Sequence, residues 1–296
     1  MKKLNYSLIL VFFTTILTGV ATATYAQLKP ANAIYYFNEY LINPAMAGKE
    51  EAFKANVGYR KQLSNFGNAP QTQFLTADFG YDGRSGFGFK IYSDKAGLLR
   101  ETSVSISYAY HLRLTEENKL SFGLSGSYIK QGLSSGDFSG DLDDPDVIAA
   151  EQRKGTFEGD YGMAFSSRTF NAQLVLPNLV TTLKNELNEG INYQTFFSSI
   201  SYKFETEIGV LEPKLALRGI KGMSSILDFG ANFKLNSEGS TAFNVMALYH
   251  TSKNTTLGAS VAFNDKFSFN TSYTLGGGEI SKYSNGDFEL GLAIKL

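Results

Sequence analysis

Three features of this 296-residue chain predict an all-β fold: a transmembrane, antiparallel outer-membrane β-barrel of about 14 strands. The first is a two-residue alternation of apolar with small or polar side chains along most of the sequence. The second is an amino-terminal export signal. The third is the closing stretch, where Phe288, Leu290, Leu292, Ile294 and Leu296 alternate with Glu289, Gly291, Ala293 and Lys295. That pattern gives a strand with one apolar face running to the last residue.

The elements follow in chain order. Lys2 and Lys3 precede an apolar stretch from Leu8 to Val20, and Thr24-Tyr25-Ala26 is a small-residue cleavage pattern. Residues 1–26 therefore read as a signal peptide, with Gln27 first in the mature chain. The other reading, an anchor helix, is opposed by the short apolar core and by the cleavage pattern. Nothing downstream approaches the roughly 20 apolar residues of a spanning helix, so a mature chain that crosses a membrane crosses it with strands. Residues 27–51 do not alternate. They carry turn signals at Asn43-Pro44 and Gly48, and two placements are open for them, in the lumen as a plug or under the barrel as a cap.

Residues 52–296 make up the predicted barrel. Val104, Ile106, Tyr108, Tyr110 and Leu112 alternate with Ser105, Ser107, Ala109 and His111, and the segments from Leu120, Leu227 and Phe267 repeat the pattern. A soluble sandwich also alternates. Here, however, aromatics cluster on the apolar face near segment ends, as an interfacial girdle requires, and the opposite face is small and uncharged over long stretches. With the first strand at Ala52–Arg60, the four longest connections, near 61–70, 131–156, 177–190 and 276–286, are all odd-numbered. This places both termini in the periplasm and the long loops outside.

Composition restricts function. The net charge of −1 and the lack of a basic run exclude nucleic acid as a partner. The absence of cysteine excludes disulfides, a lipoprotein attachment site and thiolate metal sites. The two histidines, His111 and His250, fall on opposite predicted rims, which separates them from any shared Ser–His–Asp arrangement. Hydrogen-bonded rim or lumen imidazoles are the expectation. The loop Asp137–Asp146 carries five aspartates, without the spacing of an EF-hand. It reads either as a solvated acidic loop or as a divalent-ion loop that bridges to lipopolysaccharide phosphates. Gly276-Gly277-Gly278 lacks the following lysine and helix of a phosphate cradle. Leu179, Val180, Leu183 and Leu187 have the spacing of a short amphipathic helix, which either covers the lumen, contacts a partner or packs as plain loop. No enzyme, cofactor or metal site is expected.

One segment is more specific than the strands. Tyr36–Gly48, with the box Asn43-Pro44-Ala45-Met46-Ala47-Gly48, resembles the opening of the PorP/SprF family, whose motif reads roughly N-P-A-x-A-G. Tyr59-Arg60, Ala69–Gln73, Gly86–Phe89 with Asp94–Gly97, Lys119–Ser125 and Lys282–Gly286 resemble further family segments in matching order. The carboxyl-terminal signal Glu289-x-Gly291-x-x-Ile294-x-Leu296 keeps the spacing that the barrel-assembly machinery recognises, with Leu296 where such barrels commonly end in an aromatic. The resemblance implies a non-enzymatic barrel of the type IX secretion and gliding machinery. It also implies partners: a large secreted adhesin or its carboxy-terminal secretion domain, ring lipoproteins, and outer-membrane lipid with lipopolysaccharide. In that reading Asn43, Pro44, Ala45, Ala47 and Gly48 serve as a partner-binding or structural motif. A passive porin or small-molecule transporter is the alternative.

Overall fold

The computed structural model describes residues 33–63, 69–133, 154–184, 194–220, 224–236, 239–277 and 285–296. Residues 1–26, read above as a signal peptide, residues 27–32, the acidic loop Asp137–Asp146, Leu187 and Gly278 lie outside them. The strands are β1 (Phe53–Lys61), β2 (Gln71–Tyr81), β3 (Ser85–Ala96), β4 (Leu99–Arg113), β5 (Lys119–Leu133), β6 (Thr156–Ser166), β7 (Phe170–Leu176), β8 (Gln194–Tyr202), β9 (Phe204–Thr206), β10 (Gly209–Ile220), β11 (Ile226–Leu235), β12 (Thr241–His250), β13 (Asn254–Phe263), β14 (Phe267–Leu275) and β15 (Asp287–Lys295). A short helix α1 (Leu179–Lys184) follows β7.

Every pairing is antiparallel, between sequence neighbours save for β8 with β10, and β15 returns to β1 from Lys54↔Lys295 to Lys61↔Phe288. The Phe53 and Leu296 backbones exchange hydrogen bonds of 3.1 and 2.9 Å at the closing corner. The barrel is thereby shut, with 14 strands around it. The extra one, β9, continues the line of β8 along β10: Ser201 faces Lys214 and Phe204 faces Leu211. Pro213, which has no N–H to donate, falls at the break between them. Closure leaves no free edge, the condition for strands in hydrocarbon.

Burial is inverted relative to a soluble protein. On β4, Val104, Ile106, Tyr108, Tyr110 and Leu112 are exposed, whereas Ser105, Ser107, Ala109 and His111 are buried. The same inversion holds around the wall, with buried Ser, Thr, Asn and Asp inside and exposed Leu, Phe and Tyr outside. Such an outer face requires lipid. Outward aromatic pairs sit near both rims: Phe79–Phe87 at 5.3 Å and Tyr202–Phe204 at 4.7 Å near one, Tyr128–Phe157 at 5.2 Å and Phe229–Tyr249 at 5.1 Å near the other. No described helix is long and apolar enough to cross a membrane.

The connections 82–84, 114–118, 167–169, 207–208, 236–240 and 264–266 make a short-turn rim, which also holds Phe53 and Leu296. The other rim carries 62–70, 97–98, 134–155, 177–193, 221–225, 251–253 and 276–286, including the four longest. One predicted loop, Asp94–Arg100, is mostly strand: β3 and β4 stay paired to Ala96↔Leu99, and Gly97 turns at φ +62°. Asp94, at its start, faces inward, where it accepts from Thr72. The first strand begins at Phe53 instead of Ala52.

Because Ile106 is 68% exposed in the middle of the lipid face, Ile106→Arg is expected to destabilise the bilayer-inserted barrel by about 2–4 kcal/mol. The same change at Leu114, in a rim turn, costs about 0–1 kcal/mol. Heat-modifiable gel mobility across a guanidinium series measures both.

Candidate functional site

The lumen holds residues 33–48, folded as three single 3-10 turns at Ile34–Tyr36, Glu39–Leu41 and Pro44–Met46. The last turn follows from local chemistry. Asn43 caps it, its Oδ1 accepting from the Ala45 N–H at 2.9 Å, and Pro44 supplies a preset φ at the first helical position. The Asn43 amide then donates to Gln173 Oε1 at 3.0 Å and to the Met163 carbonyl at 3.4 Å, joining the turn to β6 and β7. Asn43 is completely buried.

The segment runs down the lumen from the long-loop half to the short-turn rim, and wall side chains satisfy its irregular backbone. Ile34 N–H donates to Glu289 Oε2 at 3.0 Å, Lys90 Nζ donates to the Leu41 carbonyl at 3.3 Å, and Gly48 N–H donates to Asp78 Oδ2 at 2.9 Å. Asn38 Nδ2 donates to Thr76 Oγ1 at 2.9 Å, and Tyr40 Oη to Ser107 Oγ at 3.1 Å. Non-helical backbone at membrane depth is tolerated only when protein satisfies it in this way. Apolar contacts complete the seat: Tyr40, Ala45, Met46 and Ala47 against Ala109 and Ala164, and Tyr35 against Val175, Phe197 and Ala216.

The wall is hollowed where the box lies. A Cβ at Gly162 would sit 2.1 Å from Asn43 Oδ1, and one at Gly123 would sit 2.2 Å from Ala45 N. At Gly86 the obstacle would be the Ala47 carbonyl oxygen at 2.0 Å. Gly126, also on β5, has nothing within 4 Å. Sequence reasoning did not find this set, although its signal is present as glycine at inward positions of strands that otherwise alternate cleanly.

Charge holds the middle of the plug. Burial alone would raise the Glu39 pKa, but Lys49 Nζ and Lys214 Nζ, each 3.5 Å away, draw it down from 4.5 to about 2. Gln173 Nε2 adds a hydrogen bond at 2.8 Å, and Lys214 lies 4.6 Å from the Tyr36 ring centroid.

The histidines are on opposite rims, as the sequence predicts, and each serves the plug. The Ala47 carbonyl can only accept, so His111 Nε2 donates to it at 2.9 Å, and Nδ1 of the neutral ring accepts from Ser121 Oγ at 2.8 Å. His250 Nδ1 lies 2.6 Å from Asp228 Oδ1, and its Nε2 lies 2.9 Å from Thr256 Oγ1. This has the form of a catalytic triad, but Thr256 is fully buried and its hydroxyl is shared with Thr274 at 2.7 Å. Asp228 also takes Arg218 Nη2 at 2.7 Å and Tyr35 Oη at 3.3 Å. The array ties Tyr35 to the wall and presents no open nucleophile.

Of the carboxyl-terminal signal, Glu289 and Gly291 face the plug. Glu289 accepts from Ile34 N–H and from Ser272 Oγ at 3.2 Å, and a Cβ at Gly291 would meet Ile34 Cδ1 at 3.2 Å. Ile294 pairs with Ala55 and Phe267, and the Leu296 side chain is exposed, so neither reaches the plug. Helix α1 sits at the long-loop rim, where Glu158 accepts from the Val180 and Thr181 N–H groups at 3.1 and 3.2 Å and Leu183 is exposed. Among the described residues no cluster of three or more His, Asp and Glu suits a metal. Beneath the plug, on the side of β7–β15, a cavity of about 630 Å³ opens toward the short-turn rim.

Two outcomes are expected. Gly123→Val expels the box and exposes residues 33–48 to thermolysin in an otherwise intact barrel, whereas Gly126→Val leaves them protected. A depressed carboxylate pKa stabilises above the ordinary glutamate value and loses that contribution as the pH falls toward 2. Hydrogen exchange around Glu39, referenced to strand amides, is therefore expected to quicken between pH 4.5 and 2, and Glu39→Gln to lessen that dependence.

The fold is similar to those of solved outer-membrane channels. A mutant of the monoaromatic hydrocarbon channel TodX aligns with a TM-score of 0.53 and 8% identity, covering 90% of this chain and 94% of that one. The toluene transporter TbuX of Ralstonia pickettii aligns with a TM-score of 0.50 and 9% identity, covering 86% and 91%. At these identities the likeness is one of fold alone. No curated protein matches the chain. The family model described as type IX secretion system membrane protein PorP/SprF matches residues 24–294. The chain belongs to the PorP/SprF family of type IX secretion system membrane proteins.

Proposed function

We propose that this outer-membrane barrel is a non-enzymatic docking partner that binds a cognate large surface adhesin, through its carboxy-terminal secretion domain, and helps secrete or anchor it. The carrying observation is the plug. A lumen filled by residues 33–48, with wall glycines hollowed to receive them, suits a scaffold better than a passage. In this reading the short-turn rim, with both barrel ends, faces the periplasm and meets the ring lipoproteins. The long loops face outward, toward the adhesin and lipopolysaccharide. Asn43, Pro44, Ala45, Ala47 and Gly48 act as a structural motif that fixes the plug, and Glu289, Gly291, Ile294 and Leu296 act as the barrel-assembly signal.

A passive channel is the second reading. The likeness in fold to a hydrocarbon channel and a toluene transporter and the cavity beneath the plug favour it.

Two measurements separate them. A mild-detergent pull-down of the tagged barrel is expected to recover a large secreted protein with a carboxy-terminal secretion domain, or ring lipoproteins. A barrel recovered alone, from cells secreting the candidate, speaks for the channel. In planar bilayers the intact protein is expected to show no steady conductance, and deletion of Ala33–Gly48 to open one. A steady current through the intact barrel contradicts the docking reading.

A further inference from the structure

The outer wall of β1 to β5 carries three successive rows whose chemistry changes toward the bilayer centre. The row nearest the long-loop rim is Lys61, Gln71, Lys95 and Arg100, each the register partner of the next. The second row is Gln73, Ser93, Thr102 and Lys130, and the third is Leu75, Ile91, Val104 and Tyr128. All lie on the outward face, because the intervening Arg60, Thr72, Asp94, Glu101 and Ser127 are buried on the lumen side. Successive residues rise about 3.3 Å, so the cationic row stands about 13 Å along the strands from the apolar one. Tyr128 pairs with Phe157 in the aromatic girdle, which marks the boundary between hydrocarbon and headgroups. The two upper rows are therefore at headgroup level.

Their charge is one-sided. The two upper rows hold four cations, Lys61, Lys95, Arg100 and Lys130, and no carboxylate, since Asp94 and Glu101 point inward. Lys95 stands directly opposite Arg100, and like charges so placed repel. At the short-turn rim the exposed Arg113 and Arg168 have acids of this chain beside them, Glu51 at 2.8 Å and Glu205 at 3.1 Å. Among the described residues Lys61, Arg100 and Lys130 have none. The patch is also local: on the outward faces β7 to β14 reach the long-loop rim with Leu176, Leu217, Leu227, Tyr249, Thr255 and Leu275. An anion that answers these cations must share the site with hydrocarbon. A free phosphate satisfies only the charge. A lipid whose phosphates meet the cations, and whose chains run down over Leu75, Ile91 and Val104, satisfies both. Arginine and lysine hold phosphate oxygens through charge-assisted bonds, and Gln71 and Gln73 add amides suited to a sugar. From β1 to β5 the cations spread over four strand spacings, about 19 Å, which suits a headgroup with more than one phosphate.

We propose that this patch binds a phosphorylated glycolipid of the outer leaflet, of the lipid A type, with its phosphates on Lys61, Lys95, Arg100 and Lys130 and its acyl chains on the apolar row below. The site rests on the reading that the long-loop rim faces outward, and it gives the lipopolysaccharide contact of that reading its residues.

The test titrates the full mature barrel, in neutral detergent and with folding checked by gel mobility, with lipid A carrying two phosphates or none, read by native mass spectrometry. The diphosphorylated lipid is expected to bind at least about tenfold more tightly than the dephosphorylated one. The triple variant Lys61→Gln, Arg100→Gln, Lys130→Gln is expected to remove that difference, while Arg168→Gln, at the opposite rim, keeps it. Equal binding of the two lipids, or an undiminished preference in the triple variant, overturns the site. Displacement of the lipid by an equal concentration of inorganic pyrophosphate overturns the lipid assignment and leaves a free-anion site. Orientation is read separately. The chain has no cysteine, so Leu98→Cys, in the turn 97–98, is expected to react with a membrane-impermeant maleimide on intact cells. Reaction only after lysis overturns both the outward reading of the rim and the outer-leaflet site. Reaction on intact cells without phosphate-dependent binding overturns the lipid site alone.

Discussion

Every backbone polar group at membrane depth must find its partner inside the protein, and the rest of this structure depends on how that requirement is met. The strands meet it by closing β1 on β15. The lumen segment has no strand to join, and it meets the requirement through side chains that reach in from the wall: Glu289 for Ile34, Lys90 for Leu41, His111 for Ala47 and Asp78 for Gly48. A hydrogen bond to a charged group contributes roughly 1.5–3 kcal/mol. The plug is thus held along its length by polar contacts from the wall, with apolar clusters between them.

The barrel was legible because strand periodicity is strict. A residue on β4 either meets lipid or meets the lumen, and the two environments demand opposite chemistry, so Val104 to Leu112 show their faces directly in the sequence. Legibility failed where that contrast failed. Asp94 looks like a loop residue because an inward position tolerates charge when a partner such as Thr72 stands beside it. The break at Pro213 leaves the register intact, so periodicity gives no notice of β9.

The plug was legible only in part. Asn43-Pro44 announced a turn through local chemistry, the cap and the preset φ, and these act within two residues. Its position was not announced, because the partners of Asn43 are Gln173 and Met163, far along the chain, and no local pattern encodes that distance. The glycines at 86, 123 and 162 carry the missing information as an absence of side chain. Absence is ambiguous in one sequence: Gly230 also faces the lumen, yet its space is taken by Leu248 of the wall and not by the plug.

The seam between β1 and β15 links barrel closure to plugging. Glu289 on β15 is almost fully buried, and a buried carboxylate needs compensating partners. One, Arg60 Nε at 3.5 Å, comes from β1; another is Ser272 on β14; the third is the Ile34 N–H of the plug. Arg60 in turn binds Asp287 through Nη2 at 3.0 Å, so one guanidinium spans two acids of the last strand. Before the seam closes, Glu289 lacks Arg60 and remains in water, where its attraction for a neutral N–H is weak. Once the seam closes, the desolvated carboxylate has every reason to take Ile34. The anchor for the upper end of the plug therefore shares its carboxylate with the pairing that completes the wall, so one buried acid on the last strand serves both the first strand and the plug.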